Sequence, residues 1–282
     1  MKTILIPLNG TSPSEALIDA AVKLARQTGG FVQAVWCQQT LPIIAGEGIT
    51  LPAEYLSQFE QEERQLAAHS KEAFMERIGN LQVPLAEIED WDRSGPAASW
   101  MELQGTGAVA LAELARIFDI SVMHRPVPEQ TTEWRTTCET VLFEGGRPLL
   151  LVSDALPNQF GRNIVIAWNG SSETARAIAM ASSLLRTAEQ VHVIEVEGGM
   201  VSGPTATQVA CALKAGGVNA FAESLKSGDS SVADAIMGYA ANVEADLIVK
   251  GAYTHSRLRA LIFGGATSDI FSKSTLPVLF CH

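Results

Sequence analysis

The sequence predicts an α/β protein of two tandem doubly wound domains, each with a parallel sheet covered by helices on both faces. The first observation is an internal repeat: the apolar run and Asn-Gly-hydroxyl turn of residues 4–11 recur at residues 164–171. A second matching pair, residues 118–123 and 245–250, follows a helical pattern in each half. Each half then closes on a short proline-led apolar run. Short apolar strands that alternate with helices are typical of a parallel sheet buried on both faces.

The same repeat divides the chain into domains. Polar residues and proline cluster around Pro157, so we expect one domain over residues 1–155 and a second over residues 160–282. The first-strand copies lie 160 residues apart and the last-strand copies only 129, so the first half carries about 31 more residues. Most of this excess falls at residues 40–80, where a loop precedes a helical pattern rich in Glu, including Glu60, Glu62 and Glu63. We expect a solvated acidic helix face there, with an acidic partner surface as the alternative.

The first helix has recognisable start and stop residues. Ser12 is expected to cap it, Pro13 to occupy its first position, and Glu15 to complete a capping box. Gly29 and Gly30 are expected to end it.

The charge of the chain argues against a nucleic-acid partner. The 31 acidic residues exceed the 20 basic ones, and the formal net charge is −11. Of this excess, −10 belongs to residues 1–160 and −1 to residues 161–282. Binding to a phosphate backbone normally needs a basic surface, so we expect no DNA or RNA partner.

We expect a cytoplasmic protein that does not enter a membrane. The N-terminus shows no secretory pattern, and the longest apolar runs are far shorter than a membrane span. The four cysteines lie far apart without a C-x-x-C pair, so we expect reduced thiols, mostly buried.

Candidate binding residues follow the apolar strands of the second half. In an open parallel sheet, ligands bind beyond the carboxyl ends of the strands, where the strand order reverses. Glycines in such loops permit positive φ or a close backbone approach, helix N-termini attract anions, and arginines add positive charge. Taken singly, Asn-Gly is a common turn and Gly-Gly a common helix boundary, so the hypothesis rests on their joint placement. The candidate residues are Asn169, Gly170, Ser171, Gly251, Thr254, His255, Arg257, Gly264, Gly265, Ala266 and Thr267.

These segments give the chain a resemblance to the universal stress protein family, in its tandem form. The similarity is strongest over residues 245–253 and continues through Gly264 and Gly265 to residues 277–279. It implies a five-stranded parallel sheet of order 3-2-1-4-5 in each domain. Some family members bind ATP through a G-x-x-G-x9-G-[S/T] motif, which this chain matches at Gly251 and Gly264.

The chain also departs from the family pattern. Thr254 replaces the second glycine of the motif and Gly265 replaces the final hydroxyl residue, although Thr267 lies nearby. Asn9 and Asn169 stand where the family often has Asp. The resemblance implies a stress-response protein whose second domain binds ATP or another adenine nucleotide as a regulatory ligand, with magnesium only alongside the nucleotide. These departures favour an alternative, a scaffold that binds no nucleotide and acts through dimerisation and protein partners.

The first half is not expected to bind nucleotide. The segment after Met123 begins with His124 and Arg125 and then carries two prolines, which lack amide donors, and no glycine. We expect a solvated loop there rather than an anion site. The turn before the last helix should correspond to residues 134–138, which contain no Gly-Gly pair.

No catalytic arrangement is evident in the sequence. No nucleophile, base and orienting acid assemble, so a hydrolase or transferase is disfavoured, and we expect at most slow ATP hydrolysis. Residues 105–110 match a loose dinucleotide fingerprint, but residues 99–104 lack the pattern of a buried strand, and no dinucleotide site is expected.

The last strands of the two halves are apolar enough to form pairing edges at residues 149–151 and 278–280. An unpaired edge of this kind invites aggregation, so we expect either a homodimer or pairing of the two domains with each other.

Overall fold

The computed structural model describes residues 1–10, 12–38, 52–126, 132–157, 160–226, 228, 230–252 and 265–282. These residues contain ten strands and nine helices. The strands are β1 (Thr3–Leu8), β2 (Phe31–Gln38), β3 (Ala97–Thr106), β4 (Ile120–His124), β5 (Leu149–Val152), β6 (Asn163–Ala167), β7 (Gln190–Val196), β8 (Ala220–Leu225), β9 (Leu247–Gly251) and β10 (Val278–Cys281). The helices are α1 (Glu15–Thr28), α2 (Ala53–Asn80), α3 (Gly107–Ala115), α4 (Thr132–Glu144), α5 (Ser172–Met180), α6 (Ser182–Thr187), α7 (Ala206–Ala215), α8 (Val232–Asn242) and α9 (Ala266–Lys273).

All ten strands belong to one sheet with the order β3-β2-β1-β4-β5-β10-β9-β6-β7-β8. Within each half every neighbouring pair is parallel, and the order is 3-2-1-4-5 counted from the first strand of that half. The halves meet where β5 and β10 pair antiparallel, with Leu150 opposite Leu279. The predicted fold class is confirmed. The last strands pair the two domains with each other, while the homodimer stays a prediction.

Helices cover both faces of this sheet, because the strands carry apolar side chains on both sides. Ile4 and Ile6 pack on one face with α1, α2, α5, α6 and α7, whereas Leu5 packs on the opposite face with α3, α4, α8 and α9. Each such side chain, once buried, contributes roughly 1.5–3 kcal/mol. This burial stabilises the fold and fixes the carboxyl ends of the strands, where the candidate site lies.

The start of α1 differs from the prediction by two residues. Ser14, and not Ser12, caps the helix: its hydroxyl accepts a hydrogen bond from the Leu17 amide at 3.2 Å. The Ser12 hydroxyl instead lies 3.1 Å from that of Ser70 on α2, so Ser12 and Pro13 precede the helix. The predicted end is confirmed, since Gly29 adopts φ 58° at the C-cap.

The predicted acidic segment at residues 40–80 is described from Pro52 onward; residues 40–51 lie outside the described residues. Glu60 and Glu62 are exposed on α2, but Glu63 is buried, contrary to the expected solvated face. Arg77, near the end of the helix, forms a two-point ion pair with Asp19 of α1, with N–O distances of 2.8 and 2.7 Å. The helix is therefore attached to the first domain through its C-terminal half.

Residues 99–104, which lack the sequence pattern of a buried strand, nevertheless lie within β3. β3 is an edge strand of the sheet. It begins with buried residues, but the exposed Glu102 interrupts the apolar pattern by which a buried strand is predicted. The chain passes from β3 directly into α3 through Gly107, which has φ 75°. The dinucleotide fingerprint therefore does follow a strand, but at the sheet edge and not where the strand order reverses, so its position gives no support to a dinucleotide site.

Candidate functional site

The two segments that were predicted to form the site do meet at one edge of the sheet. β6 and β9 are parallel neighbours with Ala167 opposite Lys250, so the loops that follow them start side by side. Strand order reverses between these two strands. The start of α5 lies directly against Gly251: a Cβ atom on Gly251 would lie 2.3 Å from the backbone nitrogen of Thr174.

Asn169 and Ser171 organise the start of α5. The Ser171 hydroxyl caps the helix by accepting from the Thr174 amide at 3.3 Å. Asn169 Oδ1 accepts from the Ser171 amide at 3.2 Å and from the Thr174 hydroxyl at 2.7 Å. The Asn169 side-chain oxygen and the Ser171 hydroxyl thus make hydrogen bonds within the protein. Both residues help to hold the helix that packs on Gly251.

Gly170 is required by the conformation of its loop. Its φ is +85°, and a Cβ there would lie 2.6 Å from the carbonyl oxygen of Val201. The Val201 amide donates to the Asn169 carbonyl at 2.8 Å, so the loop after β7 packs over the turn after β6. The close approach that the glycine permits is therefore to the protein itself.

Of the two uses expected of glycines at this site, Gly251 shows the close backbone approach, and neither Gly251 nor Gly265 has a positive φ. Gly251 is instead required by the contact with α5. Gly265 is extended, with φ −174° and ψ 165°, and a Cβ there would meet nothing within 4 Å. The sequence could not distinguish a glycine that is required by a close contact from one that is not, because in each case it shows only a glycine at the boundary of a predicted element.

This difference gives a prediction. Gly251→Ala should lower the free energy of unfolding by about 2 kcal/mol, because the new methyl group overlaps backbone atoms of α5 that cannot easily move. Gly265→Ala is the matched control and should cost less than about 1 kcal/mol, since the site is open and only the N-cap preference changes. Urea unfolding of both variants measures the difference, and equal losses would contradict the assignment.

α9 begins at the same edge of the sheet. Gly265 is its N-cap and, because glycine has no side chain, gives no capping hydrogen bond to the first-turn amides that begin with Ala266 and Thr267. Arg135 of α4 reaches the outer side of the helix, donating to the hydroxyls of Ser268 at 3.2 Å and Ser272 at 3.4 Å. The remaining predicted residues, Thr254, His255, Arg257 and Gly264, lie outside the described residues.

Lys250 is a residue of this edge that the sequence reasoning missed. It is only 5% exposed, and its amine makes a single hydrogen bond, to the Gly251 carbonyl at 3.2 Å. No ion pair joins this amine to a carboxylate among the described residues. Burial lowers the pKa of Lys250 from 10.5 to about 8. The signal in the sequence was a cation at the end of an otherwise apolar strand.

The corresponding edge of the first domain is built differently. Arg125 does not lie in a solvated loop: it is 3% exposed and donates to the carbonyls of Ile270, Phe271 and Leu276 at 2.7, 3.3 and 3.1 Å. These acceptors belong to the end of α9 and the segment after it, so Arg125 joins the two domains. Burial lowers the pKa of Arg125 to about 10. His124 instead lies 3.1 Å from the exposed carboxylate of Asp154.

Residues 134–138, which were expected to form a turn, lie inside α4. Nearby, the Asn9 side-chain amide donates to the carbonyls of Cys37 and Gln38 at 3.3 and 3.4 Å, bridging the ends of β1 and β2. At this edge of the first domain, these contacts stabilise the fold.

At the opposite edge of the second domain, a cavity of about 650 Å³ lies between the ends of α8 and α9. Its floor includes Asp246, whose carboxylate accepts from the amides of Gly161, Arg162 and Asn163 at 2.9–3.2 Å. Burial raises the pKa of Asp246. This carboxylate therefore joins the segment that leads into β6 to the start of β9. These hydrogen bonds account for the buried carboxylate without a ligand.

The described residues contain no cluster of three or more His, Cys, Asp or Glu side chains arranged to hold a metal ion. None of the described helices combines the length and the apolar character that crossing a membrane requires.

Comparison with known proteins agrees with this architecture. Residues 161–282 match the model of the Universal stress protein family. A universal stress protein of Synechocystis sp. is 22% identical over 290 residues, covering 99% of both chains. The crystal structure of a universal stress protein from Archaeoglobus fulgidus has a TM-score of 0.66 at 15% identity, covering 99% of this chain and 95% of that one. At that identity the structural likeness establishes a shared fold.

Proposed function

We propose that this is a cytoplasmic stress-response protein whose second domain binds an adenine nucleotide, because residues 161–282 match the model of the Universal stress protein family. ATP is the expected nucleotide and acts as a regulatory ligand, with magnesium bound only alongside it. The observation that carries the proposal is the start of α9, which lacks a side-chain cap and lies at the sheet edge where strand order reverses. Free helix N-terminal amides favour a phosphate group.

The residues at this edge fit a phosphate group. The amides of Ala266 and Thr267 would hold phosphoryl oxygens, and the Thr267 hydroxyl adds a further donor. Gly251, Asn169 and Ser171 hold the start of α5 at the same edge of the sheet through the contacts described above. In this proposal α9 binds the ligand, and the turn after β6 stabilises the edge of the sheet at which α9 begins.

The first domain is not proposed to bind nucleotide. At the 129-residue offset between the halves, Arg125 and Arg135 correspond to Thr254 and Gly264 of the motif. Both arginines contact α9 of the second domain. Positions that would belong to a phosphate loop are thus used for contact between the domains, and we expect one nucleotide per chain.

Calorimetric titration of the full chain with ATP, with and without magnesium, tests the proposal. The informative variant is Ala266→Asp: an acidic residue in the first turn favours the helix but repels phosphate. We expect ATP affinity to fall about tenfold or more, which corresponds to the loss of one charge-assisted contact. The control is Thr136→Asp. Thr136 is an exposed residue of α4 in the first domain, at the position that matches Gly265, and its substitution should leave the affinity unchanged.

Equal losses in the two variants would place binding elsewhere. Failure of the wild-type protein to bind ATP at millimolar concentration would favour the alternative, a scaffold that acts through dimerisation and protein partners. The engagement of Asn169, Gly170 and Gly251 in contacts within the protein is the observation that favours this alternative.

A further inference from the structure

The buried amine of Lys250 lies on the face of the sheet that α9 covers. Its neighbours in the strand alternate, with Ile248 and Ala252 in the apolar cluster on the α9 side and Val249 in the cluster on the other side. Side chains of a strand point alternately to the two faces, so Lys250 shares the α9 side with Ile248.

The neighbours of Lys250 place it on the same face of the sheet as α9. Phe280 lies opposite Lys250 in β10, and its ring packs against Phe271 of α9 with 5.7 Å between centroids. The Lys250 amine bonds to the Gly251 carbonyl, and therefore turns towards the carboxyl edge of the sheet, where α9 begins. The positive end of the helix dipole is thus at the same edge as a buried cation.

This arrangement is unfavourable without a negative partner. A buried ammonium loses its hydration and normally needs an ion pair or several acceptors, but Lys250 has one carbonyl and no ion pair among the described residues. The neighbouring segment, residues 253–264, contains no Asp or Glu in its sequence, whereas it carries His255, Arg257 and Arg259. Among the described residues, the first turn of α9 carries one carboxylate, that of Asp269, which pairs with the Lys273 amine at 2.7 Å.

We propose that Lys250 is the charge-recognising residue of the second domain, and that its ammonium and the first-turn amides of α9 together bind a phosphoryl group. The inference rests on the proposed nucleotide function only for the source of that group, which is either a nucleotide or free inorganic phosphate. It assigns to this domain a ligand whose negative charge is required for binding, so that the uncharged nucleoside alone is bound weakly. It also explains why a lysine is placed at the end of an apolar strand.

The test compares wild-type protein with Lys250→Met, an apolar side chain of similar length. Inorganic phosphate, ATP and adenosine are titrated by calorimetry at constant ionic strength. We expect Lys250→Met to lose about tenfold or more in affinity for phosphate and ATP, as for removal of a charge-assisted hydrogen bond, with no change for adenosine. Lys71→Met, which removes an exposed lysine of α2 in the first domain, is the control and should keep the wild-type affinities.

The outcomes separate this inference from the nucleotide proposal. ATP binding that is equal in wild type and Lys250→Met would overturn the role of Lys250 and leave the nucleotide function standing. Phosphate binding that needs Lys250, without tighter binding of ATP, would uphold Lys250 and reject the nucleotide. A wild-type protein that binds neither phosphate nor ATP overturns both.

A second measurement needs no variant. In lysine-selective ¹⁵N NMR of the wild-type chain, saturating phosphate should shift the Lys250 amine signal far more than those of the other lysines. A Lys250 signal that does not move would overturn the proposal.

Discussion

Arg125→Met is expected to lower the free energy of unfolding by about 3 kcal/mol, because it leaves carbonyls at the end of α9 without a donor. Arg125 supplies three hydrogen bonds to Ile270, Phe271 and Leu276, and hydrogen bonds from a charged group are worth roughly twice those of neutral donors. Methionine fills part of the volume, so the loss reports mainly on these bonds. Guanidinium chloride unfolding followed by circular dichroism measures it.

The matched control is Arg116→Met. Arg116 is exposed and donates to a single carbonyl, that of Glu144 at the end of α4, within its own domain. Its removal should cost less than about 1 kcal/mol. If Arg125 joins the domains as described, its loss should also separate the unfolding of the two halves into distinguishable steps. A single transition with a loss no greater than that of Arg116→Met would show that Arg125 does not hold the domains together.

The role of Arg125 shows what the sequence could not predict. Its acceptors lie 145 to 151 residues away, across the antiparallel junction of β5 and β10. A local pattern describes only the neighbours of a residue in the chain, so the same two letters, His-Arg before proline, are typical of a surface loop. Only the pairing of the two domains brings the end of α9 to Arg125.

The fold itself was predictable because its signals are local. Apolar strands, helical spacing and the repeated turn at Asn9 and Asn169 lie within short windows, and burial on both sheet faces forces the strands to be apolar throughout. The strand β3 was not predicted, because neighbouring elements bury an edge strand less completely than a central one. Glu102 therefore occupies an exposed position within it and interrupts the apolar pattern.

The candidate site was predicted in position but not in detail. The sequence placed Asn169, Gly170 and Gly251 at one edge, and the structure brings them together. It could not show that Gly251 contacts α5 or that Gly170 contacts the loop after β7, since both contacts join residues from different elements. A glycine motif indicates where the backbone is crowded, and the folded chain decides which group crowds it.

Lys250→Met should have the opposite effect to Arg125→Met. Burial lowers the pKa of both cations, but removal of Arg125 also leaves three carbonyls without their donor. Lys250 has one acceptor where Arg125 has three, so its hydrogen bond does not offset the lost hydration. A lysine whose pKa falls from 10.5 in the unfolded chain to about 8 in the folded protein lowers stability by about 3 kcal/mol at pH 7. Without a bound anion, Lys250→Met should therefore be more stable than wild type by about this amount.

The pH dependence gives the sign of this effect. The folded protein releases the Lys250 proton near pH 8, whereas the unfolded chain holds it until about pH 10.5, so the unfavourable charge disappears as the pH rises through this window. The advantage of Lys250→Met should be full below pH 8, shrink between pH 8 and 10.5, and vanish above it. Urea unfolding of both proteins at several pH values measures the difference, and Lys71→Met, at an exposed position of α2, corrects for the loss of one positive charge from an acidic chain. A difference that is constant with pH would mean that the amine keeps its hydration, whereas the expected decline would identify Lys250 as a charge that the folded chain leaves for a ligand to balance.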